Sequence, residues 1–176
     1  MNLDENTSFA VGDEAPDFQL RTHLGRDWRL SDHLGKVVAL LFYPGDETMV
    51  CTRQMCSVRE YWVDYLDTNA EVVGISPDTV SRHNSFARNH NLPITLLADT
   101  GRKVTKSFIS HWLFPVSFLR GVVIIDAKGL IRNRQVMLRT FRPEDRNIIT
   151  AIYSARADLM TDKFQDIAKK SRNITG

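Results

Sequence analysis

Apolar residues fall in short blocks along this chain, and their period changes from two to nearly four and back again. Phe18-Gln19-Leu20 and Asp27-Trp28-Arg29-Leu30 alternate on either side of His23-Leu24-Gly25-Arg26, which predicts a β-hairpin. Val37-Val38-Ala39-Leu40-Leu41-Phe42 is apolar throughout, as expected of a strand covered on both faces of a sheet. From residue 48 to about 66 the period becomes helical, with Val50, Val58, Trp62 and Leu66 spaced near four. Residues 71–75 read as a second buried strand, ended by Ser76-Pro77-Asp78, and residues 79–90 as a helix capped by Asp78. A short strand at 96–98 and a short helix at 102–108 follow. Residues 122–125 and 130–136 then flank Asp126-Ala127-Lys128-Gly129, a second hairpin with glycine at its tight position. Residues 143–156 form a last predicted helix, with Pro143 in its first turn.

Strand–helix–strand–helix followed by a hairpin and a helix predicts an α/β protein. Its mixed central sheet is flanked by helices, preceded by an N-terminal β-hairpin, and ordered as in a thioredoxin-like fold. One domain is expected over residues 9–156, after an extended or disordered N-terminus at 1–8. A C-terminal extension at 157–176 carries the stripe Met160, Phe164, Ile167 and Ala168, which suits either a partly helical segment packed on the body or another subunit, or a frayed tail.

Composition narrows the function classes. A chain of 176 residues with 43% hydrophobic and 25% charged content has room for one large core. The net charge of +2 is dispersed, and the densest basic stretch, Arg132 to Arg142, alternates with apolar residues. That pattern is a solvated face, so no nucleic-acid partner is expected. No apolar run approaches the ~20 residues of a membrane span, and no signal-peptide pattern opens the chain, so the expected location is cytoplasmic. No G-x-G-x-x-G or Walker loop follows a predicted strand, and two cysteines are too few for a zinc finger.

Those two cysteines, Cys51 and Cys56, stand in Tyr43-Pro44-Gly45-Asp46-Glu47-Thr48-Met49-Val50-Cys51-Thr52-Arg53-Gln54-Met55-Cys56, where a buried strand gives way to a helix. The unpaired N–H groups and positive dipole end of a helix favour a thiolate at such a place. Thiol reduction of a peroxide needs a thiolate, donors that hold the peroxide, and a partner that removes the sulfenic acid. Thr48 is either such a donor or simply the helix N-cap; Pro44 either shields the thiol or only ends the strand. Arg120 precedes a predicted buried strand, and either reaches the helix N-terminus or snorkels at the surface. In an unbroken helix five residues separate Cα atoms by about 8.6 Å, too far for a disulfide, so bridging Cys51 and Cys56 requires a turn to unwind. Trp62, beyond Cys56, is placed to report that change.

The chain resembles the peroxiredoxins of the bacterioferritin-comigratory-protein, or peroxiredoxin Q, subgroup. The likeness rests on Pro44-x-x-x-Thr48-x-x-Cys51 with Cys56 five residues on, on Gly12-Asp13-Glu14-Ala15-Pro16-Asp17-Phe18, Leu30-Ser31-Asp32 and Gly35-Lys36, and on Val73-Gly74-Ile75-Ser76, Leu96-Leu97-Ala98-Asp99 and Arg120. The resemblance implies cofactor-free reduction of hydrogen peroxide and organic hydroperoxides. By position Cys51 would be the peroxidatic thiol and Cys56 the resolving thiol, bridged in an intramolecular disulfide. Thr48 and Arg120 would be peroxide-binding donors, Pro44 a shield, and thioredoxin or a similar dithiol protein the reductant of a monomer or homodimer. The chain departs from the subgroup at Glu47, Met49, Val50, Gln54 and Val122-Val123, positions that bear on pocket shape rather than on the cysteine chemistry. Two other classes use the same residues: a redox sensor or chaperone signalling through the disulfide, and a thiol metal carrier on the same fold, which finds no histidine close to the cysteines in sequence.

Overall fold

The computed structural model describes residues 9–157. The expectations for residues 1–8 and, beyond Ala157, for the C-terminal extension lie outside the described residues. Strands β1 (Gln19–Thr22) and β2 (Asp27–Arg29) form the first hairpin, and β3 (Val38–Phe42) is buried at every position. Helices α1 (Met49–Glu60) and α2 (Trp62–Asp67) lead to β4 (Glu71–Ser76), α3 (Val80–Asn89), β5 (Thr95–Ala98) and α4 (Lys103–Ile109). The second hairpin is β6 (Leu119–Ile125) and β7 (Ile131–Leu138), and α5 spans 145–157.

The seven strands form one sheet in the order β2-β1-β5-β4-β3-β6-β7. β3, β4 and β5 run parallel, while β6, β7 and the first hairpin are antiparallel, so the expected mixed α/β sheet is what forms. Alternation along β3 sends Val38, Leu40 and Phe42 into one core and Ala39 and Leu41 into the other, which explains why its sequence is apolar without a break. Cys51, Met55 and Val58 of α1 join the second of these cores, together with Ile148 and Ile152 of α5. No helix among the described residues is long and apolar enough to cross a membrane.

Three expectations need correction. The helix predicted over 48–66 is two helices broken at Tyr61, whose φ of −92° and ψ of 13° leave the α region. Within α1 the buried positions are Cys51, Gln54, Met55 and Val58, so of the predicted stripe only Val58 is buried; Val50 and Trp62 are half-buried and Leu66 is exposed. The cap of α3 is Thr79, whose side chain accepts from the Arg82 N–H at 3.3 Å; Asp78 turns instead toward the loop after β3. Arg120 does not precede its strand but is its second residue, fully buried, so the surface reading of that side chain is overturned. The adjacent Gly121 makes this depth possible, because a Cβ there would come 2.5 Å from Ile109 Cγ2.

Candidate active site

The carboxyl end of β3 delivers Tyr43 and Pro44 into a short turn that ends at the first residue of α1. Glu47 takes a left-handed conformation at φ 57°, and Thr48 returns to extended backbone as the N-cap. The Thr48 carbonyl accepts from the Thr52 N–H at 2.8 Å, which starts the helical ladder. Its hydroxyl caps no N–H and donates loosely to the Gly45 carbonyl at 3.4 Å, leaving an exposed side chain that can turn to another partner. Cys51 is therefore the third residue of α1, among N–H groups that precede the first intrahelical bond.

Cys51 is fully buried, and Arg120 Nη2 donates to its Sγ at 3.2 Å. Burial pushes the guanidinium down from its ordinary value; the charge of Cys51 and the hydrogen bond to it act the other way. Nε and Nη1 of Arg120 are buried with no partner, two donors held ready beside the sulfur. A cleft of about 410 Å³ opens onto this group, walled by Pro44, Thr48, Met49 and Val50 on the α1 side and reaching Arg120. Of the five residues expected here, Cys51, Arg120, Thr48 and Pro44 thus converge. Cys56, half-buried and unbridged, sits farther along the same unbroken helix.

Two buried carboxylates hold the ends of this segment, and neither was singled out in the sequence. Asp46 accepts from Tyr43 Oη at 2.8 Å and lies 2.8 Å from His83 Nδ1, while its own N–H donates to Asp78 Oδ2 at 2.6 Å. His83 Nε2 faces the Leu97 carbonyl at 3.2 Å, which ties the turn to α3 and β5. His83 is on α3 and completely buried. Its spacing with Phe86 and Ala87, three and four residues on, was the available signal. At the far end Asp145 of α5 accepts from Ser57 Oγ at 2.5 Å and from Tyr65 Oη at 2.8 Å. Between the clamps, Gln54 is buried with neither its Oε1 nor its Nε2 partnered.

A thiol at the head of a helix, backed by a buried arginine on a thioredoxin-like sheet, defines a thiol-centred protein of the peroxiredoxin class. The chain belongs to the AhpC/TSA family, whose model it matches over residues 11–134. It is 39% identical over 134 residues to the chloroplastic peroxiredoxin Q of Triticum aestivum, covering 76% of this chain and 61% of that longer protein. It is 38% identical over 126 residues to peroxiredoxin Bcp of Bacillus subtilis (strain 168), covering 68% of this chain and 80% of the relative. Among solved structures it superposes on peroxidoxin BcpB of Mycobacterium tuberculosis with a TM-score of 0.68 and 29% identity, over 84% of this chain and 96% of that one. These relatives bear out the resemblance to the peroxiredoxin Q and Bcp subgroup.

Proposed function

We propose that the chain is a thiol peroxidase whose chemistry is carried by residues 9–156. The Cys51 thiolate attacks one peroxide oxygen, the O–O bond breaks, and the departing oxygen takes a proton to leave as water or alcohol. Cys51 is then a sulfenic acid. Arg120 holds the peroxide and the charge that develops on the leaving oxygen, Thr48 turns its hydroxyl to the same substrate, and Pro44 limits solvent at the sulfur. The single observation that carries this reading is the 3.2 Å contact between a buried guanidinium and a buried sulfur, with two further donors of that guanidinium unpaired. The contact sets the guanidinium beside the sulfur, where its donors can meet the oxygen that departs.

The Cys56 thiol then condenses with the sulfenic acid, releasing water and forming the Cys51–Cys56 disulfide. Both sulfurs lie on one unbroken helix, and the Cα separation of about 8.6 Å that helix geometry imposes exceeds disulfide range. The segment between the Asp46 and Asp145 clamps therefore unwinds for closure while the clamps keep its ends. A dithiol protein such as thioredoxin restores both thiols by exchange. Reaction of the reduced protein with hydrogen peroxide tests the reading. Cys51→Ser should abolish peroxide consumption, while Cys56→Ser should permit one oxidation and block turnover. Trp62, half-buried with its ring centroid 6.3 Å from that of Tyr65, should change fluorescence in the wild type as the bridge closes. Full activity in Cys51→Ser would refute the proposal.

A further inference from the structure

The cleft in front of Arg120 is lined by two more arginines, Arg102 and Arg139, and by no carboxylate. Neither side chain forms an ion pair or a hydrogen bond with another described residue. Arg139 is held through its side chain and Arg102 through its backbone alone. Arg139 follows the end of β7, its N–H donates to the Phe118 carbonyl at 2.8 Å, and its guanidinium carbon lies 4.6 Å over the Phe118 ring. Arg102 stands before α4 at φ 53°. Four described non-glycine residues have positive φ; two are Asn69 and Asn91, which tolerate it, and the others, Glu47 and Arg102, both border this site. The remaining wall is apolar in part, with Met49 71% exposed and Val50 beside it.

A hydrogen peroxide molecule needs none of this: it is neutral, and Arg120 with Thr48 offers enough donors for it. Three guanidinium groups around a partly apolar cleft match a longer substrate with an anionic end. We infer that Arg102 and Arg139 form a carboxylate subsite, and that the protein selects hydroperoxides with an apolar body and a carboxylate over their uncharged counterparts. The inference rests on the peroxidase reading and adds its substrate class. The carboxylate undergoes no chemistry; it is held by charge-assisted hydrogen bonds while the O–O bond breaks at Cys51 as before. Met49 and Val50 cover the chain between the two ends.

The test is single-turnover oxidation of the reduced, full-length protein, mixed rapidly with a long-chain hydroperoxy acid or with its methyl ester, without any reductant protein. The acid should react about tenfold faster than the ester at low ionic strength, which is what one charge-assisted contact provides. The ratio should shrink as salt is added. It should fall toward one in Arg102→Gln/Arg139→Gln and be largely retained in Arg102→Lys/Arg139→Lys. A wild-type ratio near one, or a ratio unaltered in the glutamine variant, overturns the subsite. A ratio unaltered in that variant together with a raised KM for thioredoxin would assign the arginines to the reductant instead. Absence of any reaction with hydrogen peroxide would remove the peroxidase reading, and the subsite with it; a normal reaction with a ratio of one removes the subsite alone.

Discussion

Arg120 Nη2 meets Cys51 Sγ at 3.2 Å across a separation of 69 residues, and neither side chain has any exposure to solvent. The contact joins the antiparallel strand β6 to the helix that follows the parallel strand β3, its direct neighbour in the sheet. Removing the guanidinium takes away both the counter-charge of the sulfur and the donors for the peroxide. Arg120→Met should lower the rate constant of the first oxidation by about 10²–10³. Arg120→Lys should fall between, because an ammonium supplies charge without the planar fork. Stopped-flow mixing with hydrogen peroxide reads both; an unchanged rate constant in Arg120→Met would contradict the role.

Gln54 lies between the two cysteines, buried, with both ends of its amide lacking a protein partner. Such a group costs about 1–3 kcal/mol in the folded state, and unwinding returns it to water. Gln54→Leu should therefore raise the stability of the reduced protein by about 1 kcal/mol or more. It should also slow disulfide closure without slowing formation of the sulfenic acid. Denaturant titration and the decay of the sulfenic acid give the two readouts, and a destabilised variant would mean that the amide is satisfied after all.

Asp46 receives the Tyr43 hydroxyl and faces His83 Nδ1, both at 2.8 Å, where water does not reach. Asp46→Ala strands two buried donors at once and should cost about 2–5 kcal/mol. Asp46→Asn keeps one acceptor oxygen and should cost less. Chemical denaturation of the reduced variants measures the order, and a cost below that of an ordinary surface substitution would show that the turn is not held there.

Burial and the neighbouring Asp46 carboxylate raise Tyr43 well above the ordinary phenol value, and burial with Asp145 does the same to Tyr65. A folded-state value above the unfolded one means that the native protein keeps protons the unfolded chain gives up. The stability that these phenols contribute is then complete below about pH 10 and is lost as pH rises beyond it. Each should add a fall of about 1.4 kcal/mol per pH unit above that point. Equilibrium unfolding between pH 9 and 11.5 (about the range the phenol reference value brackets) should show a smaller slope in Tyr65→Phe; equal slopes would contradict the coupling.

The sheet was legible because its strands are buried on both faces: the unbroken apolar run through Leu40 and Leu41 admits few other readings. The reactive turn was legible because Pro44, Thr48 and Cys51 are local. Where the reading failed, the cause was phase or distance. The buried face of α1 runs through Cys51, Gln54, Met55 and Val58 rather than through Val50, and a buried glutamine is invisible to an apolar periodicity. The depth of Arg120 depends on Ile109 packing over Gly121, a relation between α4 and β6 that no local window contains. The clamps are of the same kind: Asp46 meets His83 37 positions on, and Ser57 meets Asp145 88 positions on.

Mass spectrometry of the reduced protein after one equivalent of hydrogen peroxide bears most directly on the peroxidase account. The account requires one oxygen added at Cys51 first, trapped intact in Cys56→Ser, and in the wild type its replacement by the loss of two hydrogens as Cys51 and Cys56 join. Oxygen appearing first on Cys56, or a wild-type sulfenic acid that persists with no bridge, would contradict it.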